Sequence, residues 1–89
     1  MMNSSGQSKE YDRSRIMVVE PQSGTKHTHT LIFMHGLGDN GENYKPLFGK
    51  GGPLNFPGLK VLLPTAPESP VTCNGGVKMT SWFDIKEIL

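Results

Sequence analysis

The segment Met34-His35-Gly36-Leu37-Gly38-Asp39-Asn40-Gly41 holds the richest chemistry of the chain. Its glycines permit positive φ and let backbone N–H groups converge on one point. Convergent donors placed after a buried strand form a site for an anion, or for the oxyanion of a tetrahedral intermediate. The same letters also read as Gly-x-Gly-x-x-Gly, with Gly36, Gly38 and Gly41 in the places of a dinucleotide fingerprint. That fingerprint needs a sustained helix aimed at the pyrophosphate, and an acidic residue near the end of the next strand. Here Pro46 and Gly49 interrupt the helix, and the next strand ends Leu62-Leu63-Pro64-Thr65 with no carboxylate. An ordinary glycine turn between strand and helix is the plain alternative.

Other reactive groups are sparse. His35 has the chemistry of a general base, but its place in a His-Gly turn favours a structural role. His27 and His29 lie two apart and share one strand face, yet no Cys, Asp or Glu at ligand spacing completes a zinc set. They read as solvated histidines at a strand edge. Cys73 could act as a nucleophile beside His35, but nothing near it would activate a thiolate. Gly49-Lys50-Gly51-Gly52 lacks the pattern of a phosphate loop. Trp82 and Phe83 suit either an apolar pocket wall or a core. The main negative concerns the nucleophile. None of Ser4, Ser5, Ser8, Ser14, Ser23, Ser69 and Ser81 carries the flanking glycines of a Gly-x-Ser-x-Gly elbow.

The elements that must position this loop are short. Ile16 to Val19 reads as a first strand, closed by Pro21 and Gly24. Thr28 to Met34 reads as a second, and its apolar run Leu31 to Met34 suits a strand buried on both faces of a parallel sheet. Glu42 to Phe48 allows a turn or two of helix, limited by Pro46 and stopped at Gly49. Leu59 to Leu63 reads as a third strand ended by Pro64, and Thr65 to Thr80 as a loop rich in Pro and Gly. Strand, turn, short helix, strand is the opening of an α/β fold with a mostly parallel sheet. Crossover helices for both faces are missing. The expectation is the N-terminal piece of a larger α/β domain, spanning residues 15–89 behind a disordered polar leader, residues 1–14.

Composition narrows the class. With 89 residues there is room for one small domain at most. A single alanine, Ala66, speaks against a helical bundle. A net charge of +1 with scattered Lys and Arg offers no basic face for nucleic acid. One cysteine rules out an intrachain disulfide. The polar N-terminus has no apolar segment of the signal-peptide kind. No apolar run approaches the ~20 residues that span a bilayer. A soluble intracellular protein is expected, with no stable membrane insertion.

Five ordered segments resemble one family. They are Leu31 to Gly41, Phe56-Pro57-Gly58-Leu59-Lys60, Pro64-Thr65-Ala66-Pro67, Pro70-Val71-Thr72 and Ser81-Trp82-Phe83-Asp84. Their order and spacing resemble the acyl-protein thioesterase and lysophospholipase family, also called the phospholipase/carboxylesterase family. The likeness runs from about His29 to Ile85. It implies a single-domain α/β-hydrolase that needs no metal or organic cofactor. The implied substrates are S-acylated proteins, lysophospholipids and simple carboxylic esters. It implies a backbone oxyanion donor at Leu37, in a loop shared with His35, Gly36, Gly38 and Asp39, and a substrate channel beside Trp82 and Phe83. It also implies that the nucleophilic serine, the acid and the base lie beyond Leu89. On that reading Asp39 is not the triad acid, and the 89 residues alone are inactive. The alternatives are a non-catalytic binding protein built on a half sheet, or a dinucleotide-binding piece that uses Gly36, Gly38 and Gly41.

Overall fold

A computed structural model describes residues 11–87. Three apolar segments become strands: β1 (Ile16–Val19), β2 (His29–Ile32) and β3 (Leu59–Pro64). β3 lies between the other two. β2 runs parallel to it, with Leu31 opposite Val61 and Ile32 opposite Leu62. β1 runs antiparallel to it, with Val19 opposite Val61 and Met17 opposite Leu63. The sheet is therefore mixed, and β2–β3 is its one parallel pair among the described residues.

Side chains alternate between faces along a strand, so Leu59, Val61 and Leu63 share one face of β3. Val61 and Leu63 are buried there with Val19 and Phe48, and Met17, Phe33, Tyr44 and Leu59 pack against them. Each fully buried side chain of this size contributes about 1.5–3 kcal/mol of transfer free energy. Phe48 comes from the four-residue helix α1 (Lys45–Phe48), which continues a 3-10 turn over Glu42–Tyr44. The Asn40 side-chain oxygen accepts the Asn43 N–H at 2.9 Å and starts that turn. Pro46 sits in the first turn of α1, where its missing N–H has no partner to lose, and Gly49 caps the end. Phe33 joins sheet and helix, its ring 4.5 Å from that of Tyr44 and 5.9 Å from that of Phe48.

Three expectations need correction. The run Leu31 to Met34 is not buried on both faces, and Ile32 is 61% exposed. β2 is an edge strand, and the face opposite α1 is open, so Val18, Ile32 and Met34 meet solvent. Thr65 to Thr80 is not simply a loop. It folds into an antiparallel ribbon of β4 (Glu68–Val71) and β5 (Val77–Thr80), joined by a 3-10 turn over Thr72–Asn74. A two-stranded ribbon is all edge, so Pro70 is tolerated in β4 despite its missing N–H. β3 also runs one residue further than expected, with Pro64 paired to Ile16. Of the polar leader, residues 1–10 lie outside the described residues. Asp12 caps a 3-10 turn over Arg13–Arg15, and the Tyr11 hydroxyl donates to the Thr65 carbonyl.

Candidate functional site

The glycine-rich loop leaves β2 at its C-terminal end and crosses toward the ribbon. His35, its first residue, is 2% exposed. Its Nε2 accepts the Ala66 N–H at 2.9 Å, and its Nδ1 lies 2.6 Å from the Gly36 carbonyl oxygen. The Trp82 ring packs beside it, with centroids 5.1 Å apart. Both ring nitrogens are thus occupied by backbone. Neither nitrogen is left free to serve as a proton-transfer partner for Cys73 in this arrangement. Cys73 itself sits in the turn between β4 and β5, its N–H donated to the Ile85 carbonyl at 2.8 Å.

Gly36 to Asp39 forms a tight turn, with the Asp39 N–H on the Gly36 carbonyl at 3.2 Å. Gly38 holds φ +79°, a conformation that side chains resist. The ribbon then fastens the turn from the side. The Gly38 N–H donates to the Thr80 carbonyl at 2.8 Å, and the Thr80 hydroxyl donates to the Asp39 carbonyl at 2.6 Å. The Trp82 indole N–H donates to the His35 carbonyl at 2.9 Å. Within this fastened turn the Leu37 N–H has no protein partner among the described residues.

The Asp39 carboxylate is tied into the loop by three donors. It accepts the Tyr44 hydroxyl and the Asn43 amide, each at 2.6 Å, and the Asn40 N–H at 2.9 Å. The Tyr44 hydroxyl bond, then the Asn43 and Asn40 donors, hold its pKa below the usual carboxylate value, and the same bond raises the Tyr44 phenol. Gly41 closes the loop against β3. A Cβ there would collide with the Leu63 carbonyl, and its N–H donates to the Thr65 hydroxyl at 2.9 Å. The third glycine of the dinucleotide pattern is therefore spent on close packing, and the helix that follows has four residues.

A cavity of about 200 Å³ lies between His35–Leu37 and Ser81–Phe83, with Ile85 completing its wall. Its side chains are mainly apolar, and Phe83 is 72% exposed at its rim. Two larger depressions, of about 410 and 400 Å³, lie against Ser14–Met17 and against Val19–Ser23. Neither is bordered by Leu37, so chemistry rather than size selects the smaller cavity. His27 and His29 are exposed, their rings on the Thr30 and Thr28 hydroxyls at 2.7 and 2.8 Å. The structure thus brings His35, Gly36, Leu37, Gly38, Asp39, Trp82 and Phe83 to one end of the sheet. Sequence reasoning missed Thr80 and Ala66. Both act through plain backbone or hydroxyl groups far along the chain, which no motif marks.

The fold is that of an α/β-hydrolase, in the portion formed by these residues. The crystal structure of Zea mays acyl-protein thioesterase 2 superposes with a TM-score of 0.74 at 39% identity, over 84% of this chain and 30% of that one. The chain belongs to the Phospholipase/Carboxylesterase family, whose model matches residues 14–89. Acyl-protein thioesterase 1 of Cryptococcus neoformans is 48% identical over 62 residues, 70% of this chain and 26% of that protein. A probable carboxylesterase SOBER1-like of Arabidopsis thaliana is 43% identical over 58 residues, 65% of this chain and 22% of that protein. The chain spans about a quarter of the length of the curated relatives it matches. Among the described residues no helix is long and apolar enough to cross a membrane.

Proposed function

We propose that this chain supplies the oxyanion side of a cytoplasmic serine hydrolase. The substrates are thioesters of S-acylated proteins, lysophospholipids or simple carboxylic esters. In this reading residues 15–89 are part of the hydrolase domain and residues 1–14 its leader. One observation carries it: among the described residues the Leu37 N–H has no protein partner, while the N–H groups of Gly38, Asp39, Asn40 and Gly41 that follow it are engaged, and it lies beside an apolar cavity.

A serine supplied by the rest of the domain attacks the carbonyl carbon while a histidine takes its proton. Negative charge gathers on the carbonyl oxygen, and the Leu37 N–H donates to it. One such donor is worth roughly 3–4 kcal/mol in the transition state. The cavity beside Leu37, Trp82 and Phe83 takes the start of the acyl chain, at ~0.8 kcal/mol per buried methylene. The residues holding the turn keep the donor fixed, so little reorganisation is needed as charge develops.

The test joins this chain to the remaining segment of the Zea mays enzyme and follows hydrolysis of a chromogenic ester. The joined protein turns over, whereas the 89 residues alone, lacking Gly-x-Ser-x-Gly, match the buffer rate. Leu37→Ala is mild. Leu37→Pro removes the N–H and lowers kcat by about 10²–10³-fold, with KM moving less. A Leu37→Pro protein that is folded by circular dichroism and keeps its kcat removes Leu37 from the oxyanion hole.

A further inference from the structure

We infer that His35 is a positioning residue for this reaction: its imidazole, fixed as the Nδ1–H tautomer, holds the Gly36 carbonyl and thereby aims the Leu37 N–H. The inference rests on the role proposed above for Leu37.

The tautomer follows from the partners. A backbone N–H can only donate, so the ring nitrogen facing the Ala66 N–H at 2.9 Å, Nε2, carries a lone pair. A neutral imidazole then bears its one proton on Nδ1. Nδ1 lies 2.6 Å from the Gly36 carbonyl oxygen, which can only accept. Both bonds are satisfied by this one tautomer and by no other protonation state.

The Gly36 carbonyl and the Leu37 N–H belong to the same peptide unit. That unit is planar and trans, so its C=O and N–H point in opposite directions. A ring that pulls the carbonyl to one side turns the N–H to the other, away from the imidazole. The carbonyl also accepts the Asp39 N–H at 3.2 Å, so both of its lone pairs are in use. The peptide can rotate only by breaking both bonds. Burial shields the His35 ring, which is 2% exposed, from water. The ring is in turn held by the Ala66 N–H, and the loop start by the Trp82 indole on the His35 carbonyl.

Two variants separate the two nitrogens. Asparagine places an amide N–H near the Nδ1 position and can still donate to Gly36. Glutamine reaches the Nε2 position and can still accept from Ala66. In the joined protein, His35→Gln should fold and lose about 10²-fold in kcat, the scale of a misplaced catalytic group, with KM within about twofold because the donor acts on transition-state charge. His35→Asn should be the less stable of the two, with the Ala66 N–H unpaired, yet recover most of kcat relative to His35→Gln. A folded His35→Gln with the parent kcat overturns the inference, as does equal loss of kcat in both variants. Nitrogen-15 NMR of the parent imidazole supplies a check without any variant: a proton on Nε2 overturns the inference too. If Leu37→Pro abolishes turnover while His35→Gln does not, only the role of His35 falls. If Leu37→Pro keeps kcat, the oxyanion reading itself falls.

Discussion

The Trp82 indole N–H donates to the His35 carbonyl oxygen at 2.9 Å, across 47 positions of sequence. The same Trp82 ring packs against the His35 imidazole. One side chain therefore holds both the backbone and the ring of the residue that opens the glycine loop. Trp82→Phe keeps an aromatic ring beside His35 and deletes only the donor. The net loss is about 1 kcal/mol of stability, the usual worth of one hydrogen bond. Urea unfolding of the joined protein measures it. An unchanged midpoint would show that the indole N–H holds nothing.

The three loop glycines should respond differently to one added methyl group. At Gly36 nothing lies within 4 Å of a built Cβ, and Gly36→Ala should stay within about 0.5 kcal/mol of the parent, as ordinary surface changes do. Gly38 holds φ +79°, and Gly38→Ala should cost about 1–2 kcal/mol through left-handed backbone strain. At Gly41 the Cβ meets the Leu63 backbone, and Gly41→Ala should cost about 1–3 kcal/mol by overpacking. Denaturant midpoints of the three variants give the ranking, and a neutral Gly41→Ala contradicts the close approach to β3.

Asp39 links the loop to acid stability. Hydrogen bonds from Tyr44, Asn43 and Asn40 lower its folded-state pKa below the ordinary 3.8. A depressed carboxylate contributes stability above its unfolded-state pKa and loses it as pH falls through the lower folded-state value. Below both values the carboxyl is protonated in either state and the contribution is gone. The stability gap between the parent and Asp39→Asn should therefore be constant near neutral pH and shrink as pH falls below about 4. Unfolding curves at pH 7, 4 and 3 test this. A gap that widens on acidification has the wrong sign for the contacts described.

The open face of the sheet predicts self-association of the 89-residue chain. Val18, Ile32 and Met34 are exposed there, and β2 has a free edge. Apolar strands with open edges pair with other chains. Size exclusion with light scattering should show oligomers, and Ile32→Glu should raise the monomer fraction by placing a charge on that face. A monomeric parent with a sharp thermal transition would count against this.

Much of this was legible in the sequence because it rests on local rules. Apolar runs bounded by turn residues located β1, β2 and β3, and Pro46 with Gly49 bounded α1. The glycine spacing located the loop. The ribbon was not legible, since Pro67, Pro70, Gly75 and Gly76 read as loop while the pairing of Val71 with Val77 depends on a partner strand. Exposure of Ile32 was likewise invisible. An apolar run states that a strand can be buried, whereas the covering layer comes from elsewhere in the fold. The fastening of Gly38 and Asp39 by Thr80 joins residues about forty positions apart through groups that every threonine and peptide carries.

The partners of the glycine turn arrive in a fixed order on the ribosome. Ala66 emerges first, to meet the His35 ring, then Thr80, then Trp82. At roughly 5–20 residues per second, the 47 positions from His35 to Trp82 take about 2–10 s to synthesise. For that interval the nascent turn lacks its last tether, and the Gly36–Leu37 peptide is freer to rotate than in the finished fold. The turn has its full set of tethers only once Trp82 has emerged and reached the His35 carbonyl.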